Sequence, residues 1–202
     1  MSRKRSAPKR QSKRTVLLVT NGQITEKRYL EELKRLANRD KSHSVSVKPI
    51  ARDPNGVLKK LASPQGDLSA FDEVWIIVDH DGTDRTDFLK RCDSMSNRTT
   101  QVRGVVSVPC FEVWLLAHYK QVGLYPDQEA AKRDLAMETD RHRNAKELPP
   151  DFPWGNIAQA CERCHLAHEE IPRINQQGNA SSTGMPHLIY SLKLARPQQQ
   201  PE

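Results

Sequence analysis

The chain has 202 residues, which is enough for one well-buried domain and too few for two full ones. No apolar run approaches the ~20 residues that a membrane-spanning helix needs, and residues 1–14 lack the apolar core of a signal peptide, so we expect a cytoplasmic protein. Four irregularly spaced cysteines do not suit a secreted disulfide framework, so we expect reduced thiols.

The net charge of +7 is concentrated at the amino terminus. Residues 1–14 contain seven basic residues and no acidic one, which leaves the rest of the chain formally neutral. We expect a disordered basic arm that is attracted to nucleic acid, the alternative being a solubilising leader without a specific partner. The basic residues of the arm are Arg3, Lys4, Arg5, Lys9, Arg10, Lys13 and Arg14.

Strand and helix patterns alternate four times between residues 15 and 120. This alternation predicts a doubly wound α/β core with a mainly parallel, four-stranded sheet. Pro49 favours an edge or end position for the second strand, and Thr25 is expected to cap the first helix. The predicted strands are 15–20, 45–50, 74–79 and 102–108, and the predicted helices are 25–39, 57–62, 84–95 and 111–119.

No strand is predicted after Tyr119. Helical patterns at 127–139, 156–170 and 187–195 predict a helical extension, residues 121–195, that packs on the core. The tail 196–202 has no apolar residue to pack and is expected to be disordered.

The third predicted strand ends in two acidic residues separated by one position. The run 74–78 is continuously apolar, as in a strand buried on both faces, and Asp79 and Asp81 follow it. Ligands of open α/β sheets bind at the carboxyl ends of the strands, and paired carboxylates suit a hard cation such as Mg²⁺ or Mn²⁺. The alternative is a polar turn in which Gly82 supplies a permissive backbone.

Other polar residues should reach the same edge of the sheet. Asn21 follows the first strand, Glu26 lies on the first turn of the next helix, and Glu112 follows the fourth strand. Because the strands are predicted to be parallel, these residues would converge with Asp79 and Asp81. Such a site would bind a divalent metal and, through it, phosphate oxygens, which predicts phosphoryl-transfer or phosphodiester chemistry.

The order of these segments resembles a known family. A strand followed by an acidic residue and Gly, with a later strand ending in Asp-x-Asp, is the pattern of the Toprim fold of primases, topoisomerases and OLD-type nucleases, which this chain resembles. More specifically, the chain resembles the RloB-like family, whose members lie beside restriction–modification genes. The matching segments are VLLVTNGQITEKRYLEEL (16–33), VWIIVDHDGTD (74–84), SVPCFEVWLLAHY (107–119) and NASSTGMPHLIYSL (179–192).

The resemblance implies a Toprim-like nuclease that acts in antiphage defence or abortive infection. It implies Asp79, Asp81, Glu26 and Asn21 as metal ligands, Glu26, Asp79, Asp81 and Glu112 as catalytic residues, nucleic acid (DNA, RNA or tRNA) as substrate, and an ATPase as partner. The chain departs from the family pattern at Asn21, where relatives carry Glu, and an amide cannot act as a general base. The competing hypothesis is therefore a catalytically degenerate subunit that binds nucleic acid, nucleotide or the ATPase. A dimer is compatible with either hypothesis.

Two further motifs have simpler explanations. The segment Cys161–His165 matches the CxxCH pattern of haem attachment, but it lies within a predicted helix whose apolar side includes both cysteines. Zinc ligands on a single helix cannot surround a tetrahedral ion, so a core role is favoured. His80, between the two aspartates, is a minor candidate for orienting a phosphate.

Overall fold

The computed structural model describes residues 13–39, 41–139, 148–179 and 181–197, with the side chain of Gln65 excepted. Their centre is a sheet of five strands in the order β2-β1-β3-β4-β5. The first four strands in the chain are parallel, and β5 is antiparallel to β4. The strands are β1 (Arg14–Thr20), β2 (His43–Pro49), β3 (Glu73–Asp79), β4 (Gln101–Val108) and β5 (Ser182–Thr183).

Helices cover both faces of this sheet. One buried cluster joins α2 and α3 to one face, and the other joins α1, α4, α6 and α7 to the opposite face. The predicted α/β class, the mainly parallel sheet and the carboxy-terminal helices are therefore confirmed. The helices are α1 (Thr25–Ala37), α2 (Pro54–Leu61), α3 (Thr86–Ser94), α4 (Glu112–Ala117), α5 (Gln128–Glu138), α6 (Ile157–Arg163) and α7 (Met185–Ser191), with short 3₁₀ turns at Pro64–Gly66 and Trp154–Asn156.

β3 lies in the middle of the sheet, as its sequence predicts. Its apolar residues are buried on both faces because they alternate between the two clusters: Trp75 and Ile77 belong to one, and Val74, Ile76 and Val78 to the other. β2 lies at an edge, and Pro49 is its last residue, where the missing N–H costs no ladder hydrogen bond.

The prediction that no strand follows Tyr119 is wrong. β5 pairs with the end of β4, and the hydroxyls of Ser107 and Thr183 lie 2.8 Å apart in the interior. A strand of two residues is too short to show a period of two, so the sequence pattern does not reveal it. The predicted four-stranded sheet thus has a fifth strand supplied by the helical extension.

Several helix boundaries differ from the prediction, among them the end of α6 and the cap of α1. α6 ends at Arg163 rather than near Glu170, because residues 121 and 122 bind the backbone carbonyls at its end. The backbone amide of Val122 donates to the Arg163 carbonyl, and the side chain of Gln121 donates to the His165 carbonyl. α1 begins at Thr25 itself, with Ile24 in the capping position, so the predicted Thr25 cap is wrong by one residue.

The amino-terminal end of the sheet contains a buried carboxylate. Glu73 is fully buried, and its Oε1 lies 2.5 Å from the guanidinium of Arg14. Its Oε2 accepts hydrogen bonds from the Trp75 indole at 2.7 Å and the Ser191 hydroxyl at 2.6 Å. Arg14, which the sequence analysis assigned to the basic arm, is instead the first residue of β1.

Most of the predicted arm falls outside the described residues. Arg3, Lys4, Arg5, Lys9 and Arg10 lie there, as do residues 198–202 of the predicted tail. None of the described helices is long and apolar enough to span a membrane.

Candidate functional site

The turn after β3 is held against the neighbouring strand. The His80 amide donates to the Ser107 carbonyl at 3.0 Å, and the Asp81 amide donates to the Pro109 carbonyl at 3.2 Å. Asp81 has φ +50° and Gly82 has φ +69°, a left-handed conformation that Gly adopts freely and Asp tolerates better than most residues. The polar turn that the sequence predicts after β3 thus carries Asp81 at the same edge of the sheet where the sequence predicts the acidic site.

Glu26 reaches this edge from the first turn of α1. The helix is anchored by Tyr29, Leu30 and Leu33, which are fully buried. The Glu26 carboxylate folds back over Gly22, so closely that a methyl group on Gly22 would overlap it. The glycine after β1 therefore makes room for the glutamate of α1.

Glu112 reaches the edge from the first residue of α4, just after β4. The backbone amide of the preceding residue, Phe111, donates a hydrogen bond to the Asp79 carboxylate. The thiol of buried Cys110 donates to the Gln128 carbonyl at 3.9 Å, and burial raises the pKa of this thiol, with a further contribution from the charge of the nearby Glu112. The β4–α4 junction thus positions both carboxylates.

The four carboxylates are close enough to act on one another. Burial raises the pKa of Asp79 well above its usual value, and the charges of Glu26, Glu112 and Asp81 raise it further. Burial also raises the pKa of Glu26, with contributions from Glu112 and Asp81. The four predicted acidic residues therefore form one site in which like charges repel one another.

Asn21 lies partly buried, directly after β1. Its backbone carbonyl accepts a hydrogen bond from the Gln23 side chain at 3.0 Å. In the part of the chain that the structure describes, no three or more His, Cys, Asp and Glu side chains form a group that could hold a metal ion. The oxygen donors and their charge suit a hard cation, but the side chains are not arranged as a ready-made ligand set.

Two basic residues that the sequence did not indicate border the carboxylates. The Arg85 side chain donates from Nε to the Asp79 carbonyl at 3.0 Å, and its guanidinium lies 4.0 Å from the Asp81 carboxylate. Burial lowers the pKa of Lys132 on α5, but the charge of Glu112 and the hydrogen bond and charge of Glu129 together outweigh burial, so the pKa of Lys132 is raised. Arg85 directly follows the acidic turn, so the sequence could have predicted its place beside the carboxylates. Lys132 is distant in the chain and lies there only because of tertiary packing.

The cysteines of the CxxCH segment lie in the core, whereas His80 lies next to the carboxylates. Cys161 and Cys164 are buried, free thiols in the core, and burial raises the pKa of Cys161 to about 12. His187, in the segment 179–192 that resembles the RloB-like family, has its Nε2 2.7 Å from the Pro172 carbonyl, an interaction that holds the preceding loop. His80 lines a cleft beside Asp81.

The comparison with known families agrees with this arrangement. A family model described as RloB-like protein matches residues 16–192. The chain belongs to the RloB-like family. The RloB-like region runs from β1 to α7 and includes all four carboxylates, which confirms the family predicted from the sequence. No curated protein and no solved structure matches the chain.

Proposed function

We propose that this RloB-like protein is a Mg²⁺- or Mn²⁺-dependent nuclease with a Toprim-like core, which cleaves phosphodiesters of DNA or RNA as an effector of antiphage defence. The observation that supports the proposal is the convergence of Glu26, Asp79 and Asp81 with Glu112 at the carboxyl edge of the sheet, where each raises the pKa of Asp79 or Glu26. Carboxylates that repel one another at such an edge are the expected ligands of a hard cation.

Asp79 and Asp81 would hold the ion, with Glu26 and the Asn21 side chain as further oxygen ligands. The carboxylates would have to close on the ion, because no group of three is preformed among the described residues. When bound, Mg²⁺ supplies Lewis-acid polarisation of the phosphodiester and cancels the repulsion between the carboxylates.

The protein's own residues have separate tasks in this scheme. The Phe111 amide orients Asp79, and the Arg85 side chain fixes the backbone at Asp79 by its 3.0 Å hydrogen bond. Glu112 and Glu26 are the carboxylates available to accept a proton from the attacking water, because Asn21 cannot. The basic arm would add sequence-independent affinity for the phosphate backbone, and an ATPase would act as partner.

Cleavage assays with purified protein test the proposal. DNA and RNA, single-stranded and duplex, and tRNA are incubated with Mg²⁺, Mn²⁺ or EDTA. We expect cleavage that requires the metal and falls by about 100-fold or more in Asp79→Ala. Asp87→Ala, whose side chain is 95 % exposed on α3, is the matched control and should cleave normally. Undiminished cleavage by Asp79→Ala would overturn the assignment.

A second candidate is a degenerate Toprim-like subunit that binds nucleic acid, nucleotide or an ATPase without cutting. The Asn21 substitution and the lack of a preformed ligand set among the described residues favour it. It predicts binding that weakens steeply with salt and no cleavage of any substrate in Mg²⁺ or Mn²⁺. Under this candidate Asn21→Glu should create metal-dependent cleavage, whereas under the first it should only alter an existing rate.

A further inference from the structure

A cleft of about 520 Å³ opens directly beside the carboxylate site. The acidic turn forms one wall through His80, Asp81 and Gly82, and the opposite wall comes from the chain before α5 and the loop before β5. Its volume lies within the ~300–1,000 Å³ of typical small-molecule sites. The cleft is therefore large enough for a ligand group that reaches past the carboxylates.

The lining of the cleft combines polar side chains with a larger share of apolar surface. Gln128, Gln177 and Asn179 contribute amides, whereas Pro109 and Pro126 contribute apolar ring surfaces, and no described lysine or arginine lines it. Asp81 and Asp127 are its only described acidic residues, and Asp127 is engaged as the cap of α5. Such a lining disfavours a phosphate and suits a planar, uncharged group with several donors and acceptors.

The loop that carries Gln177 and Asn179 is fixed in place by hydrogen bonds. Asn175 accepts from the Gly104 amide of β4 at 2.7 Å and donates to Asp93 at 3.0 Å. The Gln177 side chain accepts from the Arg85 amide at 2.8 Å, so its NH₂ group is left as a donor. The Asn179 carbonyl accepts from the Ser182 hydroxyl at 2.8 Å.

The other wall is tied to the same loop. The Tyr125 amide donates to the Ser181 hydroxyl at 2.7 Å, and Tyr125 is buried. Both walls are thus connected to each other and, through Arg85, to the acidic turn. A cleft built in this way is preformed, so binding a ligand there costs little ordering.

We propose that this cleft binds an unpaired nucleobase next to the phosphodiester that is cut, an inference that rests on the proposed nuclease function. Bases that are splayed out of a single strand are recognised by hydrogen bonds to their edges and by packing against flat side chains. The amides supply the hydrogen bonds and the proline rings supply the flat surfaces. The substrate is accordingly single-stranded nucleic acid or an unpaired loop, and a fully paired duplex is disfavoured because its bases cannot enter.

Binding in EDTA tests the inference without requiring cleavage. Labelled single strands of about 12 nucleotides, DNA and RNA, are compared with strands in which one base at a time is removed, and with the corresponding duplexes. We expect removal of one particular base to weaken binding by about fivefold or more. Asn179→Ala should reduce this difference, and Asn179→Trp, which fills the cleft, should abolish it. Asn55→Ala and Asn55→Trp change an exposed asparagine on α2 and are the matched controls.

The outcomes separate this inference from the proposed function. Equal binding of all strands and the duplex, equal effects of the Asn55 and Asn179 variants, or failure to bind single strands would overturn the cleft assignment, even if metal-dependent cleavage is observed. Base-dependent binding that Asn179→Trp abolishes supports the cleft, even if no substrate is ever cut and the nuclease proposal fails.

Discussion

The carboxylate of Glu26 lies directly over the α-carbon of Gly22, four residues earlier in the chain. A side chain at position 22 has no free space, because the atoms that it would meet first belong to Glu26. This close approach couples the end of β1 to the first turn of α1, and it makes the glycine part of the acidic site.

Gly22→Ala should therefore impair function more than stability. The added methyl group would displace only the flexible end of Glu26, so we expect the free energy of unfolding to change by less than about 1 kcal/mol. Metal-dependent cleavage should fall, because Glu26 could no longer join the other carboxylates. Urea unfolding and cleavage rates measure the two effects. Gly155→Ala, at a position with open space around it, is the control; equal cleavage by the two variants would contradict the role given to Gly22.

Asp79→Asn should stabilise the protein in EDTA, increasingly so as the pH rises. Asp79 has a raised pKa, so the folded state retains its proton where the unfolded state has lost it, and wild-type stability falls as pH increases through that pKa. Asparagine does not ionise, so the variant should not lose stability in this way as the pH rises. Unfolding should be measured from about pH 5 to 8, with exposed Asp87→Asn as control. Added Mg²⁺ should stabilise the wild type more than Asp79→Asn; an equal response would argue against a metal at Asp79.

His118 should make the protein sensitive to acid. Its Nδ1 donates to the Trp114 carbonyl at 3.1 Å, Nε2 lies 3.3 Å from the Tyr29 hydroxyl, and burial lowers its pKa to about 4. As the pH falls, this imidazole is protonated in the unfolded state before it is protonated in the folded state. The free energy of unfolding should therefore be highest above about pH 6.5 and should decrease towards pH 4, by up to about 3 kcal/mol.

His118→Gln removes this titration. Its free energy of unfolding should change less between about pH 6.5 and 4 than that of the wild type. Exposed His168→Gln should keep the wild-type acid dependence. If His118→Gln is as acid-sensitive as the wild type, a different group causes the effect.

Glu73→Ala should be strongly destabilising. The substitution leaves Arg14 without its partner and removes the acceptor for the Trp75 indole and the Ser191 hydroxyl. Because Arg14 is half exposed and can be solvated, the cost comes mainly from lost packing and lost buried hydrogen bonds, roughly 2–4 kcal/mol in total. Glu73→Gln, which keeps an acceptor oxygen, should cost less. Urea unfolding midpoints give the order, and a loss no greater than that of exposed Asp87→Ala would contradict a structural role for Glu73.

The sequence was sufficient for the features that follow from strand order. Once the strands are parallel, residues just past β1, β3 and β4 must meet at one edge, so the sequence pattern alone places Glu26, Asp79 and Asp81 together with Glu112. The burial of β3 and the edge position of Pro49 follow in the same way from apolar run length and the missing proline N–H.

The other features depend on contacts between distant segments. β5 exists because Ser182 and Thr183 find a free edge of β4, and Lys132 borders Glu112 because α5 packs beside α4. The burial of Glu73 requires Arg14 and Ser191, which lie 59 and 118 positions away. No periodicity within a short window contains that information.

The position of Arg14 has a geometric consequence for any long ligand. Arg14 and Thr20 are the two ends of β1, so the point where the basic arm joins the fold is roughly 20 Å from the end that leads to Gly22 and Glu26. The arm thus departs from the pole of the molecule opposite the acidic edge. A duplex that touched both poles would have to extend over roughly six base pairs, at about 3.4 Å each.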